Sequence, residues 1–319
     1  ISGQAAGLVT SRLVSPAAGA YVLSGQAAAL SHGYVLTGSP GAYSVSGQTI
    51  TLQATRTLPL SAGAYTIGGQ AVGINAGYTI GASVGAYTVA GQSVTLRAAR
   101  LIAPIAGSYT LSGQAASPLI GRTISAAAGA YSISGQSVSL VAARILGSSA
   151  GTYTIAGQTV GLSAGANKTI SAAVGAYSIA GQSCDLIVAR TIAPVGGSYV
   201  VSGQAISPLT SRNISAAVGS YSISGQGLGL SASRVLGASA GSYSLAGQAV
   251  TLQVARTISG SAGSYTISGQ TVDIVTPAKT MTAGAGSYSI SGQAVTLTLK
   301  SAPLTADLPW LATARTLIY

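Results

Sequence analysis

The chain has 319 residues with 14 basic and 3 acidic side chains, which gives a formal net charge of +11. It contains 44 Gly and 16 Tyr but no Phe. An apolar composition with so little charge is the reverse of that of disordered chains and predicts an ordered fold. The single cysteine excludes an internal disulfide framework. No apolar run reaches the ~18 residues of a membrane helix, so no membrane span is expected.

Tandem repeats of 22 residues fill the chain up to about residue 300. Each unit contains a segment such as GAYSISGQ at 129–136, and the tyrosine of that segment defines position 0. The spacing of these tyrosines is 22 residues, except for 24 after Tyr153 and 23 after Tyr265. A second period of 90 residues relates segment 103–136 to segment 193–226 and indicates a duplicated block of four units. Such periodicity is typical of stacked repeat architectures.

Within a unit, the apolar pattern predicts two strands and two turns. Position 0 is Tyr and +2 is Ile, Leu or Val, while +1 and +3 are mostly Ser or Thr, which predicts a strand with one buried face. Gly at +4 and Gln at +5 interrupt the alternation, and apolar residues resume at +7, +9 and +15. This change of parity predicts a corner at the glycine, followed by a longer strand. The small residues from +16 to −1, with Gly at −2, predict a second turn.

The fold class expected from this pattern is all-β, a repetitive fibrous β-fold of about fourteen units. One unit cannot bury its own apolar face, whereas stacked units can. Either a β-solenoid, with one coil per unit, or a trimeric β-spiral shared by three chains fits the pattern. Fourteen layers at ~4.8 Å predict a rod of roughly 65–70 Å.

Two domains are expected. Residues 1–300 form the repeat array, or fibre shaft, and residues 301–319 leave the repeat as a C-terminal cap or docking segment. Trp310 is the expected anchor of that segment. The chain opens within a unit, which predicts either that the protein is processed or that an N-terminal part precedes residue 1.

In-register stacking converts each fixed position of the repeat into a ladder. The tyrosines are expected to stack in the core with their hydroxyls at a wet edge, and the glutamines to hydrogen-bond from layer to layer. A sugar-binding aromatic stripe is the alternative for the tyrosines. These structural ladders include Tyr43, Tyr65, Tyr87, Tyr109, Tyr131, Gln48, Gln70, Gln92, Gln114 and Gln136. Cys184 occupies an apolar slot of the repeat and is expected to be a small buried hydrophobe.

A third ladder, here called the basic ladder, occupies position +13, once the extra residues in the repeats after Tyr153 and Tyr265 are allowed for. Its members are Arg12, Arg56, Arg100, Arg122, Arg144, Lys168, Arg190, Arg212, Arg234, Arg256 and Lys279. Charges ~4.8 Å apart repel each other, and the three acids cannot neutralise them. Either the side chains donate to turn carbonyls of their own or a neighbouring chain, or they bind a polyanion such as an acidic host-surface glycan. Nucleic acid is disfavoured because interleaved exposed aromatics for base stacking are not evident.

The sequence contains no recognisable catalytic or metal-binding constellation. Three scattered acids cannot supply paired carboxylates, and the lone His32 has no carboxylate near it in sequence. No Cys/His cluster fits zinc, and no acidic loop fits calcium. We therefore expect no enzyme activity, no metal and no cofactor. The Ser and Thr residues at +1 and +3 leave a glycan- or ice-binding β-solenoid as an alternative.

Tandem motifs of the form AGSY-x-aliphatic-x-G resemble the repeats of phage and prophage fibre-like structural proteins. The resemblance covers residues 1–300 and implies a structural virion appendage, such as a tail or head fibre shaft that spans distance and touches the host surface. It also implies a virion or otherwise extracellular location, a homo-oligomer with a trimer favoured, and contacts with other virion proteins. The repeat length and the Gln ladder are similar to those of curli-type amyloids, although the Asn ladder of that family is missing. A secreted bacterial adhesin or curli-like functional amyloid is therefore the alternative.

Overall fold

The computed structural model of the chain describes 29 strands and the short segments beside them. The described residues outside strands are 63, 85, 107, 128–129, 150–151, 174–175, 196–197, 218–219, 240–241, 262–263 and 292–293. No helix occurs among the residues described.

Thirteen long strands run through the Gly–Gln segment of successive repeats, and all of them except β1 begin one or two residues before position 0. They are β1 Ser2–Thr10, β3 Gly19–His32, β5 Gly41–Ala54, β7 Ala64–Ala76, β9 Ala86–Ala98, β11 Ser108–Ile120, β13 Ala130–Ala142, β15 Thr152–Ala164, β17 Ala176–Val188, β19 Ser198–Thr210, β21 Ser220–Ala232, β23 Ser242–Val254 and β25 Ser264–Thr276.

Thirteen short strands alternate with the long ones and contain the apolar position +15. They are β2 Leu13–Val14, β4 Val35–Leu36, β6 Thr57–Leu60, β8 Thr79–Ala82, β10 Leu101–Pro104, β12 Thr123–Ala126, β14 Ile145–Ser148, β16 Thr169–Ala172, β18 Thr191–Pro194, β20 Asn213–Ala216, β22 Val235–Ala238, β24 Thr257–Gly260 and β26 Thr280–Ala283. Three further strands follow: β27 Ser287–Ser291, β28 Ala294–Leu299 and β29 Thr316–Ile318.

The chain divides into two compact parts, residues 1–160 and 161–319, with the boundary inside β15. These parts are here called the solenoid units, and from this point "unit" refers to them and not to a single repeat. In the first unit the long strands pair in the order β1-β3-β5-β7-β9-β11-β13 and the short strands in the order β2-β4-β6-β8-β10-β12-β14. In the second unit the long strands follow the order β17-β19-β21-β23-β25-β28-β29, with β27 also on β25, and the short strands run from β16 to β26.

Pairing is parallel and joins consecutive repeats, so each unit is a β-solenoid in which one repeat makes one coil. The expectation of an all-β repetitive fold is confirmed. Of the two architectures open from the sequence, the chain has the solenoid and not the β-spiral, because the described strands find their partners within the same chain. The predicted division of each repeat into strands was wrong. The long strand comes first and runs through the Gly–Gln corner, and a short strand follows it.

The Gly–Gln corner changes the face on which side chains are buried, as predicted. In β11, Tyr109 and Leu111 point inward before the corner, and Ala116 and Pro118 point inward after it. The strand register passes over the glutamine: the pair Gly113↔Gly135 is followed directly by Ala115↔Ser137. A strand that skips one pairing can rotate its inward face by one residue.

The core of each coil is a repeated set of apolar side chains from the inner face of the long strand. In β13 these are Tyr131, Ile133, Val138 and Leu140, each at most 1% exposed. The short strands contribute as well, since Ile214 of β20 is 0% exposed. Stacking therefore gives each coil the apolar contacts that an isolated repeat would lack.

Two columns of glycine, at −2 and +4, fix the close approach of neighbouring coils. A Cβ built on Gly129 would lie less than 3.0 Å from the carbonyl oxygen of Gly107, and a Cβ on Gly135 would come as close to the oxygen of Gly113. The Gly107 oxygen itself accepts a 3.1 Å hydrogen bond from the N–H of Ala130. These positions require glycine because a backbone oxygen of the preceding coil occupies the place of the side chain.

Candidate functional site

The tyrosines form a buried, stacked column in each unit. From Tyr65 to Tyr153 the ring centroids of successive coils are 4.8–5.2 Å apart, with interplanar angles of 3–8°. From Tyr177 to Tyr265 the spacing is 4.6–5.0 Å. These tyrosines are at most 2% exposed. The predicted aromatic ladder is confirmed for them, while the side chain of Tyr43 lies outside the described part of the chain.

The tyrosine hydroxyls do not lie at a wet edge, and this expectation was wrong. Within the described structure, the hydroxyl oxygens of five tyrosines are buried without a hydrogen-bond partner. These are Tyr87, Tyr109, Tyr131, Tyr199 and Tyr221. Burial raises the pKa of the Tyr109 and Tyr131 hydroxyls well above the ordinary value, and at Tyr109 the neighbouring tyrosines raise it further. Rings enclosed in this way cannot offer their faces to a sugar, so the glycan-stripe alternative does not hold for them.

The glutamines at +5 lie on the outside of the corner. Gln48, Gln70, Gln92, Gln114 and Gln136 are all exposed. Each follows a glycine paired with the glycine of an adjacent coil, so the glutamines recur once per coil along one edge. Hydrogen bonding between their amides stays a prediction.

All eleven members of the basic ladder lie outside the described residues, as do Trp310 and the side chain of His32. The described strands bracket the ladder, because position +13 falls between the end of each long strand and the start of the next short strand. Among the side chains that the structure describes, the charged ones are Arg97, Asp185 and Asp273. Of the C-terminal segment, the structure describes β29, which pairs in parallel with β28. The predicted cap and anchor stay predictions.

Two outer surfaces flank the Gly–Gln corner. Before the corner, small residues such as Thr110 and Ser112 are half-buried, and a shallow groove follows positions −3 to −1 of the coils from Gly85 to Thr152. After the corner, the side chains at +6, +8 and +10 are mostly exposed. At +10 they include Leu119, Val141 and Ile187, which are 36–54% exposed. The sequence prediction overlooked these exposed aliphatic residues, although their odd distance from the buried +7 and +9 positions would have placed them outside.

The remaining reactive groups do not assemble into a site. Cys184 is 1% exposed, as expected of a small buried hydrophobe, and its Sγ lies 3.6 Å from the carbonyl oxygen of Ser202. Burial raises the pKa of the Cys184 thiol to about 11, with a further contribution from Asp185. Within the described strands, no group of three or more His, Cys, Asp or Glu residues could hold a metal ion. The described residues also contain no helix long and apolar enough to cross a membrane.

Comparison of the chain with protein-family models, curated proteins and solved structures returns no significant match. The class of the protein therefore follows from its architecture, which is a repetitive parallel β-solenoid with a buried tyrosine column.

Proposed function

We propose that the chain is a non-enzymatic structural fibre protein. Its role is to span distance as a shaft in a virion appendage, such as a tail or head fibre, or in another extracellular assembly. Contact with other virion proteins and with the host surface belongs to the same proposal.

The observation that carries the proposal is the uniformity of the coils. Each described inner coil repeats the tyrosine, small or aliphatic apolar residues at the same inward positions, and the same two glycines. A protein with a localised active site concentrates unusual polar groups at one place. Here the buried polar groups are tyrosine hydroxyls that recur once per coil. Repetition of this kind favours a function that depends on the length of the array and not on one localised site.

Deletion of residues 103–192 tests whether the number of coils sets the length of the particle. The deletion joins Ile102 to Ala193 in phase, because segment 103–136 matches segment 193–226. It removes four coils, and we expect the longest dimension in small-angle scattering to fall by about 19 Å with the cross-section unchanged. An unchanged longest dimension would contradict the proposal.

The mass of the purified assembly separates a fibre shaft from a functional amyloid. We propose a closed homo-oligomer, for which a trimer is the first candidate, whose mass by analytical ultracentrifugation does not change with time. Seeded growth with a lag phase, followed by an amyloid-dye assay, would instead identify the curli-like alternative.

A second candidate function, binding of an acidic polysaccharide, is favoured by the concentration of eleven basic residues at one repeat position. The joint change Arg122→Gln, Arg144→Gln and Arg190→Gln is expected to weaken polysaccharide binding at low salt. Arg97→Gln is the matched control, since Arg97 is exposed at +10, outside the basic ladder. Unchanged binding together with lower thermal stability would assign the basic ladder to packing.

A further inference from the structure

Five prolines lie in paired strands, and four of them share two positions of the repeat. Pro118 in β11 and Pro208 in β19 occupy +9, and Pro104 in β10 and Pro194 in β18 occupy +17. The two sets are 90 residues apart, so each solenoid unit contains one set. Proline has no N–H to donate to a strand ladder and is rare in central strands.

The long-strand prolines interrupt the ladder on one side only. Towards the preceding coil, the register runs without a gap through Pro118↔Leu96. Towards the following coil, it passes from Ala116↔Val138 directly to Leu119↔Val141. Pro208 behaves identically. It pairs with Leu186 of the preceding coil, whereas the register to the following coil jumps from Ile206↔Leu228 to Leu209↔Ser231.

The short-strand prolines show the same one-sided gap. β10 pairs with β8 at four positions, including Pro104↔Ala82, but with β12 only at Leu101 and Ile102. β18 likewise pairs with β16 through Pro194, and with β20 only at Thr191 and Ile192.

The gaps follow from the geometry of a parallel ladder, in which alternate residues direct their N–H groups to opposite neighbours. Pro59 supports this explanation, because it lies at +16, one residue earlier in the repeat, and the pairing of β6 with the following β8 is complete. In the neighbouring long-strand pairs β7–β9 and β21–β23, which lack proline, the register also runs without a gap after the corner.

Two of these proline gaps meet on one coil in each solenoid unit. The coil made of β11 and β12 loses bonds to the preceding coil through its short strand, which faces Pro104. It also loses bonds to the following coil through its long strand, which contains Pro118. The coil made of β19 and β20 is weakened in the same two places by Pro194 and Pro208. We call these two coils the parting coils.

We propose that the parting coils are built-in points of separation, at which each solenoid unit opens before its other inner coils. Local opening begins where backbone bonds to neighbours are fewest. In a stacked array without prolines, the interfaces between layers are equivalent. The prolines therefore determine where a solenoid unit opens first under heat, under force or in competition with another strand. The inference rests on the solenoid ladder alone and is independent of the proposed role as a fibre.

Hydrogen exchange of the full chain, followed by mass spectrometry, tests the proposal. We expect residues 137–142 of β13, which face Pro118, to exchange about tenfold faster than residues 93–98 of β9. In the second unit, residues 227–232 of β21 are expected to exchange faster than residues 249–253 of β23 by the same factor. Equal exchange in the matched segments would overturn the proposal.

Pro118→Leu provides the decisive variant. Leucine occupies the same position in the adjacent coils, where Leu96 and Leu140 are both 0% exposed. The variant is expected to slow exchange at 137–142 to the level of 93–98, whereas the control Pro59→Ala leaves exchange at 137–142 unchanged. Pro208→Leu repeats the test in the second unit and decides the matter if Pro118→Leu fails to fold. Unchanged exchange at 137–142 in folded Pro118→Leu would overturn the proposal.

Discussion

The inner and outer faces of the long strands follow different rules. On the inner face of β13, Tyr131, Ile133, Val138 and Leu140 are buried, and most other coils have Tyr or an aliphatic residue at the same positions. On the outer face after the corner, position +8 holds Gly, Ser, Thr, Ala or Asp without a regular order. The difference shows that the coil-to-coil contacts constrain the sequence through volume and space, whereas the outer face accepts any residue compatible with a strand.

The largest expected effect is alkaline unfolding, which acts on the inner face. The folded pKa of the buried tyrosines is raised by burial above the ordinary value of 10.0. The column therefore gives its full stabilisation below pH 10 and loses it as the pH rises further. Each buried tyrosine removes about 1.4 kcal/mol of unfolding free energy per pH unit above 10. We expect circular dichroism and phenolate absorbance to report one steep transition.

A double variant checks the origin of that transition. Tyr109→Phe with Tyr131→Phe removes two titrating groups, so the pH dependence should become shallower by about 3 kcal/mol per pH unit. Independent titration of phenolate at pH 10 in the folded protein would contradict the assignment.

The next largest effect is expected from the glycine columns. Gly129→Ala places a methyl group against the Gly107 oxygen, and since a backbone atom cannot move aside without parting the coils, it should cost roughly 3 kcal/mol or more. Chemical denaturation measures the loss. A cost below about 1 kcal/mol would mean that the coils are not so closely spaced.

A smaller effect of opposite sign is expected for Tyr131→Phe. The hydroxyl of Tyr131 is buried without a partner in the described structure, so its removal should raise the unfolding free energy by about 1 kcal/mol. Tyr131→Leu is the control for ring stacking and should destabilise. If Tyr131→Phe destabilises as well, the hydroxyl has a hydrogen-bond partner in solution.

The smallest effect is expected on the outer face. A Cβ on Gly229 in β21 meets no atom within 4 Å, and Gly229→Ala should therefore change stability by no more than about +1 kcal/mol, through the unfolded state. Paired with Gly129→Ala in the same denaturation series, it separates glycines held by space from glycines that are merely tolerated. A large loss of unfolding free energy in Gly229→Ala would contradict the proposed difference between the inner and outer faces.

The sequence was sufficient for the repeat, the all-β class, the tyrosine stack and the change of face at the corner, because each depends on side-chain periodicity. It could not select the solenoid over the β-spiral. The alternation of inward and outward residues along a strand is the same whether the neighbouring strand belongs to the same chain or to another chain. The buried hydroxyls were missed because the amphipathic character of tyrosine suggested a polar edge. The reason for Gly135 and its equivalents was also incomplete, since the backbone oxygen of the preceding coil, rather than the bend alone, excludes a side chain.

The interpretation of the basic ladder depends on side-chain positions that periodicity does not provide. Sequence spacing places Arg122 and Arg144 in the same column, but whether they contact carbonyls or a ligand depends on local geometry. The proline gaps show the opposite case. Their 90-residue spacing is visible in the sequence, yet the side of the ladder that they interrupt follows only from the register.

The Gly129 position has a consequence for how such a chain changes over generations. Nine of the described coils present the same glycine oxygen to the next coil, as the bonds from Ser108 to Gly85 and from Ala130 to Gly107 illustrate. At this glycine contact the coils are interchangeable, and recombination between repeats preserves the contact as long as the 22-residue phase is kept. The related segments 103–136 and 193–226 have the form such an exchange would leave. Coil number is thus a property that this architecture can vary without redesigning a single interface.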